Sequence, residues 1–213
     1  MHITVLGAAG ATGSRVVTEA LARGHRVTAA VRDARQFAEL PPGALPKLAD
    51  AASPAVVTEL SAGQDVIVSA IRPAPGSEDQ HPVVARALLD GLAGLPVRLL
   101  VVGGAGSLTV PDTGLLAVDD PRYVAPEWRP IALACNHQLD VLRGDSEDVD
   151  WTYLSPPAFF APGKRTGSYR TGGDELLLDA DGDSAISMED FAIALLDEAE
   201  HPRHRRTRFT VAH

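Results

Sequence analysis

Cysteine is almost missing from this chain: Cys135 is the single one in 213 residues. One thiol cannot close an internal disulfide or build a thiolate zinc cage, so neither a covalent staple nor a cysteine-held metal explains stability, and no metal is expected. No apolar run approaches the roughly 20 residues needed to cross a bilayer. The opening has no charged segment ahead of its first apolar stretch, which glycines interrupt within a few residues. It reads as a buried strand rather than a secretion signal, so a cytoplasmic location with no membrane partner is expected. A basic surface is also lacking, because 19 Lys plus Arg face 28 Asp plus Glu for a formal charge of -9. Nucleic acid is therefore not an expected partner. The one dense basic run, His204-Arg205-Arg206-Thr207-Arg208, reads as a solvated edge beside a terminal strand. Internal repeats and low-complexity tracts are absent, and 45% hydrophobic with 22% charged residues is ordinary for one soluble globular domain.

What is present is alternation. Ile3-Thr4-Val5-Leu6 is a short β-branched strand, a glycine turn follows, and apolar residues then recur at helical spacing from Ser14 to Ala22 until Arg23-Gly24 ends the helix. Arg26 to Val31 is a second strand, which completes a βαβ unit whose parallel strands need the helical crossover. The pattern continues with a weak strand at Leu45 to Ala49, a helix at Pro54 to Leu60, a strand at Asp65 to Ala70, a helix at Pro82 to Leu92 and a strand at Val97 to Val102. A long loop is expected from Gly103 to Arg129, then a helix at Pro130 to Arg143 and a sixth strand at Trp151 to Leu154. Short strand candidates at Ser168 to Arg170 and Leu176 to Leu178 lie in a Pro/Gly-punctuated stretch. A helix capped by Ser187 runs to about Glu200, and Arg208 to Val211 closes the chain as a strand. The economical fold is α/β, a doubly wound parallel sheet of one domain over 1–213: a core of about 1–155 plus 187–212, and a small lobe of about 156–186.

Gly7-Ala8-Ala9-Gly10-Ala11-Thr12-Gly13 follows the first strand and opens the first helix. Glycine there removes the Cβ that would block a diphosphate, while the helix start offers unpaired N–H donors and a positive dipole end. The spacing is Gly-x-x-Gly-x-x-Gly, not the commoner Gly-x-Gly-x-x-Gly of dinucleotide sites, and a tight strand-to-helix turn also wants glycines. Where the second strand ends, at Val31-Arg32-Asp33, an acidic residue would hold a ribose 2′-hydroxyl. Arg32 comes first and suits a 2′-phosphate, so NADP is the expected cofactor and NAD the alternative. The bland readings are a solvated Arg32 and an Asp33 that caps the next helix.

The glycine turn, Arg32, the strand end Val102-Gly103-Gly104-Ala105-Gly106-Ser107-Leu108, and Asp150-Trp151-Thr152-Tyr153-Leu154-Ser155-Pro156-Pro157 with Pro162-Gly163-Lys164-Arg165-Thr166-Gly167 together resemble the NAD(P)H-binding atypical short-chain dehydrogenases. The nearest likeness is to bacterial proteins described as NADH-flavin reductases, akin to NmrA-like proteins and the biliverdin-IXβ/flavin reductase. The resemblance spans essentially the whole chain; its first motif is shared by many families and the later two are more specific. It implies a Rossmann core and a bound nicotinamide cofactor, with Ser69-Ala70-Ile71-Arg72 bordering the ribose and nicotinamide. The residues expected around the cofactor are Gly7, Ala9, Gly10, Ala11, Thr12, Gly13, Arg32, Asp50, Ser69, Ala70, Ile71, Arg72, Gly103, Gly104, Ser155, Pro156 and Pro157.

One departure from the wider dehydrogenase pattern shapes the functional expectation. Enzymes acting on alcohols carry Tyr-x-x-x-Lys on the helix after the fifth strand, as a tuned proton donor. Here Ile131 to Asp140 has neither residue, and the pair would fall near Ala132 and Asn136. A planar acceptor such as a flavin or quinone needs stacking rather than that pair, since its second proton can come from solvent. Ser155-Pro156-Pro157-Ala158-Phe159-Phe160 is placed to form the platform, with Phe159 and Phe160 as substrate residues or, equally, core of the small lobe. Ser107 is the candidate catalytic residue, the alternative being a loop hydroxyl that satisfies backbone. His137 reads as a partly buried or helix-surface residue and Cys135 as a small buried hydrophobe; Asp174, Glu175, Asp179, Asp181 and Asp183 could suggest a cation site, but Asp179-Ala180-Asp181-Gly182-Asp183 lacks calcium-loop spacing and reads as a solvated turn. The expectation is a reductase of a small planar acceptor, with a redox-sensing dinucleotide-binding protein as its rival and a carbonyl reductase as a third reading.

Overall fold

The computed structural model describes residues 1–144 and 148–213. Ten strands and five α-helices are formed among them. In chain order they are β1 (His2–Leu6), α1 (Ala11–Ala22), β2 (Arg26–Val31), β3 (Leu45–Leu48), α2 (Pro54–Ser61), β4 (Val66–Ser69), α3 (Gln80–Leu92) and β5 (Arg98–Val102). Then come α4 (Arg129–Gly144), β6 (Trp151–Ser155), β7 (Phe159–Ala161), β8 (Arg170–Gly172), β9 (Ala185–Ser187), α5 (Met188–Glu200) and β10 (Thr207–Ala212). Eight strands join in the order β3-β2-β1-β4-β5-β6-β10-β8, parallel throughout except where β8 runs against β10. The order reverses between β1 and β4, and in such sheets ligands bind at the carboxyl ends of strands beside that reversal.

Side-chain alternation builds two cores. Val5, Val68, Leu100 and Leu154 face α1 and α5, where Val16, Val17, Phe191 and Leu195 meet them. Leu6, Ile67, Leu99 and Tyr153 face the other way onto α2, α3 and α4, through Val57, Leu88, Leu92 and Leu139. Central strands buried on both sides read as continuous apolar runs, which is why β4 and β5 carried no period-two signal. Ser187 caps α5 as expected, its hydroxyl accepting the Asp190 N–H at 3.0 Å. None of the described helices is long and apolar enough to cross a membrane.

Several local expectations need correction. The basic run is solvated at Arg205 to Thr207 but does not lie at a sheet edge, because β10 lies between β6 and β8. Arg208 is buried and ion-paired to Asp174, and Arg205 pairs with Asp150. Asp174 stays exposed while its carboxylate serves as the ion-pair partner of Arg208. The strand near Ser168 begins at Arg170, and Leu176 to Leu178 forms none. Leu176 instead buries its side chain and bonds its N–H to Thr109 O at 2.9 Å. Phe159–Ala161, for which no strand was expected, pairs in parallel with Ala185–Ser187 as a separate two-stranded sheet. The long Gly103-to-Arg129 loop holds two short 3-10 turns, Ala117–Asp119 and Pro126–Trp128.

Candidate active site

The glycine turn is shaped by backbone contact. Gly7 has φ +75°, and a Cβ there would come within 2.6 Å of Ala70 O on the neighbouring β4 end. A Cβ on Gly13 would reach 2.1 Å from Gly7 O, so this glycine serves close helix–strand packing and lies outside the cavity described below. Gly10 is the N-cap of α1 and supplies no side-chain acceptor. The N–H groups of Gly7 and Ala8 bond Ala30 O, at 3.1 and 3.3 Å, and Gly10 N–H bonds Gly7 O at 3.0 Å. The first-turn N–H groups of Ala11, Thr12 and Gly13 have no acceptor inside the helix, as in any helix start. A side-chain-free turn in front of an uncapped and positively polarised helix end fits a diphosphate.

From that cradle a cavity of about 540 Å³ runs along the carboxyl ends of the strands. Gly7, Ala9, Gly10, Ala11 and Thr12 line one part, joined by Arg32 beyond β2 and by Ala70, Ile71 and Arg72 beyond β4. Gly103 and Gly104 beyond β5, Pro156 and Pro157 beyond β6, and Phe159 and Phe160 of β7 complete the residues named from sequence. Both strand-end glycines sit where no side chain would fit. A Cβ on Gly103 would strike the Tyr153 ring at 2.1 Å, and one on Gly104 the Cys135 Cβ at 2.7 Å.

Four other expected residues do not line this cavity. Asp50 accepts the Ala52 N–H at 3.0 Å, although its neighbours Ala49 and Ala51 do reach the cavity wall. Ser69 and Ser155 are buried, and the Ser155 hydroxyl has no protein partner. Ser107 accepts a hydrogen bond from Arg208 Nη1 at 3.0 Å, the same guanidinium that holds Asp174. The two phenylalanines part company: Phe160 packs on core Phe191 with centroids 4.7 Å apart, whereas Phe159 is 67% exposed at the mouth.

Charge at the β2 end is divided between neighbours. Asp33 faces Arg35, accepting its backbone N–H at 2.9 Å and pairing with its guanidinium. The Arg35 side chain thereby holds the Asp33 carboxyl below its ordinary value. Arg32 lines the cavity, and its one hydrogen bond among the described residues is to the Gln80 amide oxygen at 3.4 Å.

Sequence reasoning missed the facing wall. His81, Trp128, Ile131 and Ala132 line it, with Cys135, which had been assigned to packing alone. The Arg72 guanidinium lies over the Trp128 ring, 5.3 Å from its centroid, and Trp128 is otherwise 53% exposed. Burial, reinforced by Arg72, pushes the His81 imidazole down to about 4, so it is neutral at physiological pH. Burial pushes the Cys135 thiol up to about 12, so it stays protonated. Its sulfur lies 3.9 Å from His81 Nε2. Tyr153 is fully buried, donates to Cys135 O at 2.9 Å and accepts the Gly104 N–H at 3.0 Å, locking α4 against the β5 end. Tyr123 also lines the cavity, its hydroxyl donating to Gly182 O at 3.3 Å. Trp128 was the legible signal here, an isolated aromatic directly ahead of an amphipathic helix. His81 gave none.

Residues 7–202 match the profile of a family described as NAD(P)H-binding, and the chain belongs to that family. Uncharacterized protein YwnB of Bacillus subtilis is 43% identical over 217 aligned positions, covering 99% of this chain and 98% of its own. Among the solved structures that match all of this chain are the following. A Burkholderia pseudomallei protein provisionally named as exported is 40% identical with TM-score 0.88 over 100% of its own chain. One from Streptococcus pneumoniae provisionally named an NADH-flavin reductase is 32% identical with TM-score 0.89 over 99% of its chain. A third, from Bacteroides thetaiotaomicron and provisionally named an epimerase, is 38% identical with TM-score 0.89 over 96% of its chain. The fold is thus the Rossmann-like α/β fold of NAD(P)-binding reductase structures, and the chain is related to proteins provisionally named as an NADH-flavin reductase and an epimerase.

Proposed function

We propose that this protein is an NADPH-dependent reductase that passes two electrons to a flavin, quinone or similar planar acceptor. The observation that carries the reading is a cavity that joins the glycine cradle to an open aromatic mouth and is bordered by α4 through Ala132, near which the tyrosine of alcohol dehydrogenases is expected from sequence. Helix α4 has neither Tyr nor Lys, which also weighs against the chemistry in the Bacteroides relative's name. When bound, reduced nicotinamide supplies a hydride, and the second proton on a flavin or quinone comes from solvent. The protein's part is positioning. Gly7, Gly10 and the start of α1 hold the diphosphate, Arg32 pairs with the 2′-phosphate, and Pro156, Pro157 and Phe159 offer a flat apolar surface for the acceptor. Neither His81 nor Cys135 is ionised at neutral pH, so neither delivers a proton as a charged acid. Ser107, occupied by Arg208, is read as fixing its loop. Steady-state NADPH oxidation with free flavins and quinones tests this; turnover with at least one is expected, and none with any overturns it.

The absence of a charged proton donor favours a second reading, a redox-sensing protein that binds the dinucleotide without turnover. Such a sensor would hold a protein partner in one redox state of the cofactor only, which pull-downs with NADP⁺ and NADPH would show. A cytoplasmic location belongs to the reductase reading, because turnover draws on a pool of reduced dinucleotide; the Burkholderia relative's name points the other way. Cell fractionation decides between them.

A further inference from the structure

The charge of the cavity is opposite to that of the chain. Its lining among the described residues holds two arginines, Arg32 and Arg72, and no aspartate, glutamate or lysine, although the chain carries 28 Asp plus Glu and a formal charge of -9. A cleft lined by cations alone concentrates anions. The two arginines stand on opposite sides of the glycine turn. In the order β2-β1-β4-β5-β6, Arg32 follows β2, the turn follows β1, and Arg72 follows β4, on the side of Gly103, Gly104, Pro156 and Pro157. A dinucleotide with its diphosphate on the turn and its 2′-phosphate at Arg32 sends its nicotinamide past Arg72 toward the β5 and β6 ends. Arg32 and the start of α1 then meet the cofactor's own charges, which leaves the second cation for whatever lies beside the nicotinamide. Arg72 is exposed and has no carboxylate partner among the described residues. Its guanidinium lies over the Trp128 ring, 5.3 Å from the centroid, and Trp128 directly precedes α4, whose Ala132 and Cys135 line the same cavity. A guanidinium held over an aromatic face still presents N–H groups at its edge, in the fork that fits a phosphate or carboxylate.

We propose that Arg72, carried on Trp128, is the residue that selects the acceptor: it binds an anionic group, a phosphate or carboxylate, on a planar molecule lying beside the nicotinamide. The substrate class is therefore anionic planar acceptors rather than neutral ones. This rests on the reading that the cavity holds the dinucleotide and its acceptor together. Flavin mononucleotide is the probe and riboflavin its phosphate-free control, since the two share a ring system and differ in the phosphate.

Affinities of NADP⁺, and of flavin mononucleotide and riboflavin on NADP⁺-saturated protein, would be measured for the parent, Arg72→Met and Arg72→Lys. The parent is expected to hold flavin mononucleotide about tenfold more tightly than riboflavin, the low end for a charge-assisted bond at an exposed side chain. Most of that preference should disappear as salt rises from about 0.05 to about 0.5 M. Arg72→Met should lower flavin mononucleotide affinity about tenfold and leave riboflavin and NADP⁺ within about twofold. Arg72→Lys, which keeps the charge but loses the fork, should recover part of the loss. Equal affinity of the parent for the two flavins, or binding of neither, overturns the proposal. So does a loss of NADP⁺ affinity of about tenfold in Arg72→Met with the flavin ratio unchanged, which would give the guanidinium to the dinucleotide's own diphosphate. Should Arg72→Met fail to fold, the parent decides: a flavin mononucleotide preference that salt removes supports the proposal, and one that salt leaves intact overturns it. Failure of the reductase reading is separate, since it would appear as absent NADPH oxidation with these binding results intact.

Discussion

Replacing Gly7 with Ala tests whether the cradle is set by backbone contact. The residue sits at φ +75°, where an L side chain costs about 1–2 kcal/mol. The added Cβ would also lie 2.6 Å from Ala70 O, 2.9 Å from its carbonyl carbon and 3.1 Å from Ile71 Cα. All three are backbone atoms, so the β1 turn and the β4 end must separate, and overpacking of this kind costs about 1–3 kcal/mol. Gly24 is the control, since it has φ +79° and nothing within 4 Å of a Cβ. Gly24→Ala carries the conformational cost alone, and any entropic effect of alanine on the unfolded chain is common to both. At roughly 2–4 °C per kcal/mol for a protein of this size, Gly7→Ala should lower Tm by about 10 °C and Gly24→Ala by about 4 °C. Thermal unfolding by circular dichroism reads both, and dinucleotide titration should show weakened binding for Gly7→Ala only. Equal Tm shifts and unchanged binding would refute the contact argument.

Arg32→Ala should weaken NADPH by about tenfold, the low end for a charge-assisted bond at an exposed side chain, and leave NADH within twofold; equal effects on both would contradict pairing with the 2′-phosphate. Asp190 is fully buried, and although burial pushes its carboxyl up, bonds from Thr166, Gly167 and His213 outweigh this and hold it below its ordinary value. Its stabilisation is complete above the unfolded carboxylate value near ~4 and lost as pH falls through the lower folded value, so Tm should drop on acidification below about pH 4. Asp190→Asn should flatten part of that drop, and an unchanged pH profile would count against it. Tyr153→Phe removes the acceptor of the Gly104 N–H and should cost about 1–3 kcal/mol in denaturant unfolding; a neutral substitution would show that the bond does not hold the β5 end. The Cys135 thiol should resist a disulfide reagent at pH 8 in the native protein and react fully once unfolded, and rapid native labelling would contradict its burial.

The fold was largely readable because the βαβ alternation and the glycine turn are local patterns, and each strand from β1 to β6 except the weak β3 announced itself by apolar runs between turn residues. The misses came where neighbours distant in sequence decide. Arg208 looked like an edge cation until β8 covered its strand and Asp174 paired with it. Phe159–Ala161 gave no strand signal, because the partner that makes it a strand lies at Ala185–Ser187. In the site, the cradle and Arg32 were legible through residue type at a fixed place after a strand. The α3–α4 wall was not, because His81 and Cys135 lie on different helices and acquire chemical meaning only by facing each other 3.9 Å apart.

Isothermal titration of the purified protein with NADPH and NADH bears most directly on the claim that the opening glycine turn grips a dinucleotide. Saturable one-to-one binding of NADPH, with NADH weaker, is the predicted result; no heat and no retention of either dinucleotide in equilibrium dialysis would contradict it.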